Sequence, residues 1–98
     1  MKTPVSSARK RPAPPTELKI ELGMPITINN AAVAEITMRY PTVKDRLDAD
    51  AYEGTMAEQE LFLLARISGL APDDFHQMHM ADYMQCQTAL KKFAGALQ

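Results

Sequence analysis

The chain has 98 residues, 46% of them hydrophobic, and a formal net charge of −1, which suits one ordinary small domain without internal repeats. No apolar run approaches the roughly 18 residues of a membrane span, and the single cysteine, Cys86, excludes an intrachain disulfide. A reducing, cytoplasmic setting is the default. Charge is unevenly placed: Lys2, Arg9, Lys10, Arg11 and Lys19 face only Glu17 within residues 1–19, so the rest of the chain carries the acidic excess.

Residues 1–16, MKTPVSSARKRPAPPT, hold four prolines and almost no large apolar side chains. Such a segment buries too little surface to offset its ordering entropy, so it reads as a disordered basic tail. Its ARKR cluster could touch nucleic acid or an acidic partner, while the plain reading is a solubilising tail. The prolines argue against the amphipathic helix of a transit peptide.

Residues 17–98 read as a single α+β domain. Leu18, Ile20 and Leu22 alternate with charged residues, the period of a strand over 18–22 with one wet face. Gly23 and Pro25 mark a break, after which 26–28 forms a second short extended segment ending at Asn29-Asn30. Asparagine tolerates the left-handed backbone of a tight hairpin turn. The return over 33–39 places Ile36, Met38 and Tyr40 on one face, with Glu35, Thr37 and Arg39 on the other. The expectation is an antiparallel hairpin of 26–28 against 33–39, with 18–22 as a candidate third strand.

Pro41 ends the strand, and Thr42 with Asp45 resembles a capping box. A first helix is predicted over 43–52, with Val43, Leu47 and Ala51 or Tyr52 as its apolar side. Thr55 and Glu58 cap a second, over 56–68, in which Ala57, Leu61, Leu64, Ala65 and Ser68 form a core stripe that Phe62 and Ile67 widen. Gly69 stops it. Pro72, Asp73 and Asp74 suit the start of a short helix over 72–78. A long final helix over 80–96 carries Tyr83, Cys86, Leu90, Phe93 and Leu97 on one side or just beyond its end.

Chemical motifs are sparse. There is no Gly-rich phosphate loop, GxSxG, CxxC or HExxH. His79, Asp82 and Cys86, with His76 a turn earlier, could offer zinc ligands from one helical face, although chance placement explains them better. The pairs Asp73-Asp74 and Asp48-Asp50 read as solvated acids rather than an acid and base, since nothing apolar surrounds them to shift a pKa. No cofactor is implied, and no nucleophile, base and orienting group can be assembled, so an enzyme is the weakest option.

Methionine is the more informative residue, occurring at 24, 38, 56, 78, 80 and 84 besides the initiator. A Met-lined surface adapts to differently shaped partners, whereas isolated methionines merely fill core gaps. Their clustering near the start of the last helix predicts a partner-binding surface of Met80, Met84 and Phe93, beside Phe62 of the central helix.

The run from Ile26 to Asp45 contains Glu35-Ile36-Thr37-Met38-Arg39 and then Pro41-Thr42, followed by Leu47. LFLLARISGL, PDDF and the pair Asp82-Tyr83 come next, in a helix closing on Phe93. This order resembles the tail assembly chaperones of contractile-tailed, Mu-like and P2-like phages and prophages, the E/41/14-type proteins, over about residues 18–96. Arg39, Pro41, Thr42, Asp45, Leu47, Asp82 and Tyr83 match the family's motif positions. The resemblance implies a non-enzymatic protein of the host bacterial cytoplasm that binds the tape measure protein, assists tail-tube assembly and is absent from the mature virion. Tail-tube subunits and a frameshifted longer form of the chain are further partners it implies. A homo-oligomer is compatible with the sequence. The alternative is a small nucleic-acid-binding or regulatory protein acting through the basic tail, which the acidity of the domain opposes.

Overall fold

The computed structural model describes residues 17–96, so the basic tail lies outside the described residues. Strands β1 (Glu17–Ile28) and β2 (Ala31–Arg39) form an antiparallel hairpin. Asn29 and Asn30 turn the chain between them, both left-handed at φ 52° and 66°, as a two-residue type I′ turn requires. Helices α1 (Val43–Ala51), α2 (Met56–Ser68), α3 (Pro72–His76) and α4 (Met80–Ala96) follow. This is the expected α+β order.

The strand count is corrected. Residues 18–22 and 26–28 are not separate strands but two halves of β1, both paired with β2. Glu21 lies opposite Glu35 and Ile26 opposite Val33, so Leu22 to Pro25 bulge against the single residue Ala34. Gly23 and Pro25 do interrupt the ladder. The strand resumes because the freed backbone groups find another partner, described below, instead of ending the element.

The inner face of the hairpin presents Ile20, Leu22, Ile26, Ile36 and Met38 to the helices, with α4 lying along β1 and α2 along β2. Met38, Leu64, Ile67 and Phe93 are among the most deeply buried side chains, each contributing about 1.5–3 kcal/mol through burial. Helix α2 ends at Gly69, whose φ of 71° takes the left-handed cap. The Leu70 N–H then returns to the Ala65 carbonyl at 2.9 Å, and its side chain packs on the core. Helix α3 stops at His76, slightly short of the predicted end at residue 78.

Helix α1 differs from expectation in orientation. Val43 and Leu47, the predicted inward face, are 76% and 59% exposed, while Asp45 and Ala49 are buried. The helix docks by its polar side because two partly exposed arginines, Arg39 of β2 and Arg66 of α2, converge on Asp45.

Candidate partner-binding site

Asp45 joins three elements. Arg39, at the end of β2, donates to both its carboxylate oxygens at 2.7 and 2.9 Å, and Arg66 of α2 donates from Nε at 2.7 Å. The Thr42 N–H donates to Oδ2 at 2.7 Å, and the Asp45 N–H donates to Thr42 Oγ1 at 3.2 Å, completing the predicted capping box. Hydrogen bonds from Arg39, and then from Thr42 and Arg66, hold the Asp45 carboxyl far below the usual carboxylate range against the opposing effect of burial. Arg66 also pairs with Asp48 at 2.7 Å. The cluster is a structural fastener with no open coordination position.

Asp82, in the first turn of α4, is the second buried carboxylate and is 3% exposed. It accepts the Gly23 N–H at 2.8 Å and the Met24 N–H at 3.2 Å, so it supplies the acceptors that the bulge in β1 lacks. These two backbone donors lower its pKa. Four residues along the strand, the Gln77 side-chain amide imitates a peptide group. Its Oε1 accepts the Thr27 N–H and its Nε2 donates to the Thr27 carbonyl, both at 2.8 Å. The outer edge of β1 is thereby covered from Gly23 to Thr27.

Beyond Leu22 toward Glu17 that covering stops, and a groove of about 450 Å³ opens between β1 and α4. Its strand wall is formed by three consecutive residues, Leu18, Lys19 and Ile20. Successive side chains point to opposite faces, so a wall made of neighbours is a strand edge. The helix wall is one face of α4, on which Ala81, Gln85, Thr88 and Lys92 recur every three or four residues with Met84 beside Gln85.

The four residues predicted to bind a partner do not converge. Met80 and Met84 are both more than half exposed, and Met84 lines this groove. Phe93 is 1% exposed, because it continues the inward stripe of Cys86 and Ala89. Its ring lies 4.6 Å from that of Tyr40, whose hydroxyl donates to the Phe93 carbonyl at 3.1 Å. Together with Val43 and Leu90 these rings border a second apolar cleft of about 340 Å³. Phe62 stacks on Tyr52 elsewhere, with centroids 4.6 Å apart.

Among the motif residues, Arg39, Thr42 and Asp45 meet in one cluster, Pro41 lines the second cleft, and Leu47 is exposed. Tyr83 donates to Glu60 Oε1 at 2.9 Å, an acceptor that Gln87 shares at 2.8 Å, tying α4 to α2. Burial, reinforced by Glu60, raises the Tyr83 pKa. The roles of Arg66, Gln77 and Glu60 escape sequence reasoning, because their partners lie far away along the chain and no local pattern marks them. The stretch His76 to Cys86 gathers no metal-like set among the described residues. Asp82 is committed to backbone, and burial pushes the thiol of Cys86 up to about 11. No helix among the described residues is long and apolar enough to cross a membrane.

Residues 19–95 match the family described as phage tail assembly chaperone proteins, E, or 41 or 14. No curated protein and no solved structure matches the chain.

Proposed function

We propose that this chain, which belongs to the phage tail assembly chaperone family, binds the tape measure protein in the host cytoplasm. It keeps the apolar segments of that protein from aggregating while tail-tube subunits assemble, and it leaves before the virion is complete. Its action is by binding rather than catalysis.

The observation that carries this reading is the division of the methionines. Met38 and Met78 fill the core, whereas Met24, Met56, Met80 and Met84 are exposed. Exposed methionine is not needed to complete the core. Along the first turns of α4, beside the groove, it provides a flexible apolar surface for a client. The basic tail takes no part in this reading, so the nucleic-acid alternative gains no support from the described residues.

Co-expression with the tape measure protein tests the proposal. The tape measure protein is expected in the soluble fraction, co-purifying with this chain, and in the pellet when expressed alone. Changing Met80→Glu together with Met84→Glu is expected to abolish co-purification without unfolding the chain, since both side chains are exposed. A tape measure protein equally soluble with and without this chain would overturn the reading.

A further inference from the structure

The edge of β1 is treated differently along its length. It belongs to a two-stranded sheet, so one side of it has no strand partner. From Gly23 to Thr27 the chain's own Asp82 and Gln77 take up the outward backbone groups. From Glu17 to Leu22 no other backbone or side chain among the described residues does so, and the apolar groove lies alongside. An open edge of this kind is a template for strand addition, which proteins otherwise blunt.

We infer that Glu17–Leu22 and the facing surface of α4 receive an extended segment of a partner protein in which apolar residues alternate with carboxylates. The inference rests on the groove being the client site of the function proposed above, and it names the form and charge of what binds there. An extended segment offers free N–H and C=O groups to β1. A helix, whose backbone is already paired, offers none along its length. Alternate side chains of the added strand point toward α4, where Ala81 and Met84 give an apolar seat. Lys19 and Lys92 line the same groove and neither forms an ion pair among the described residues. They are placed to receive carboxylates.

The test is fluorescence anisotropy of the full chain with a short labelled peptide of alternating Val and Glu, blocked at both ends. Saturable binding is expected. N-methylation of the amides on one edge of the peptide should weaken it about tenfold, the equivalent of one or two lost hydrogen bonds. A peptide of alternating Val and Lys should not bind wild type but should bind the variant Lys19→Glu with Lys92→Glu, whose exposed positions leave the fold intact.

Tighter binding of a helix-stapled peptide of the same composition would overturn the inference, as would indifference to both N-methylation and charge. A β1-mediated dimer in sedimentation that the Val/Glu peptide does not dissociate would also overturn it, by identifying the occupant as a second copy. The two readings fail separately. Capture of the tape measure protein undiminished by Lys19→Glu with Lys92→Glu removes this inference and leaves the function. Peptide binding with no capture removes the function and leaves this binding mode.

Discussion

Asp45 and Asp82 are the two buried charged side chains among the described residues, and they are held in opposite ways. Asp45 meets two guanidinium groups from other elements, whereas Asp82 meets two backbone N–H groups of one strand. The first attaches a helix, α1, that has Ala49 as its one buried apolar residue and needs an ionic fastener. The second shapes a strand, holding open a bulge and marking where the covered edge of β1 gives way to the groove. One carboxylate therefore maintains the fold and the other maintains the surface.

The sharpest way to break that contrast is Asp45→Ala. It leaves Arg39 and Arg66 without their shared acceptor and removes the capping box of α1 together with the link between β2 and α2. Breaking a buried pair costs about 3–5 kcal/mol, and since Arg39 and Arg66 are partly exposed the lower end applies. A loss of about 3 kcal/mol, on the order of 15 °C in melting temperature for a domain of this size, is expected by thermal denaturation. A shift under a few degrees would show that α1 is held by something else.

Acid sharpens the same comparison. Both carboxyls have folded-state pKa values below their unfolded ones, so the stability they contribute is complete above the unfolded value of about 3.9. It is lost as pH falls from there toward the folded values. The melting temperature should be nearly flat from about pH 7 to 5 and fall steeply below about pH 4. The fall should be shallower in Asp45→Asn, which has already lost the group with the largest downward shift.

Asp82→Asn separates surface from fold. An amide keeps an acceptor oxygen at one carboxylate position and puts an NH2 group at the other, so one of the Gly23 and Met24 N–H groups, which now use different oxygens, then faces a donor. The expected loss of stability is smaller than for Asp45→Ala, because the core beneath β1 is untouched. Hydrogen exchange at Gly23 and Met24 should accelerate while that of β2 stays slow, and binding in the groove should weaken. Unchanged exchange at both amides would remove Asp82 from its assigned role.

These two carboxylates also show what was legible in sequence. The helix starts at Val43 and Met56 could be read directly, because Thr42 with Asp45 and Thr55 with Glu58 satisfy one another within three residues. The turn at Asn29-Asn30 and the stop at Gly69 are equally local. The bulge in β1 was not legible, since its acceptor lies 59 and 58 residues further along the chain. Gly23 and Pro25 signal an interruption and carry no information about what would mend it. The inward face of α1 is hidden from local pattern for the same reason. Its apolar spacing favours Val43 and Leu47, yet Arg66, 21 residues from Asp45, decides which side docks. At the candidate site, the exposed positions of Met80 and Met84 follow from their place on α4, whereas burial of Phe93 depends on Tyr40 arriving from the hairpin.

The smallest expected effect completes the comparison. Leu47→Lys alters the apolar side of α1, which faces solvent, and leaves the ionic fastener in place. Substitutions at such positions change stability by about 0.5 kcal/mol or less, so the melting temperature should barely move. If α1 were instead a conventional amphipathic helix docked through Val43 and Leu47, the same change would bury a lysine at a cost of several kcal/mol. Thermal denaturation of this one variant therefore decides which side of α1 faces the core, independently of any partner. A near-neutral result also frees Leu47 for a second measurement, co-purification of the tape measure protein. An undiminished yield there would leave Leu47 outside the proposed client surface, and a reduced yield would extend that proposed surface to α1.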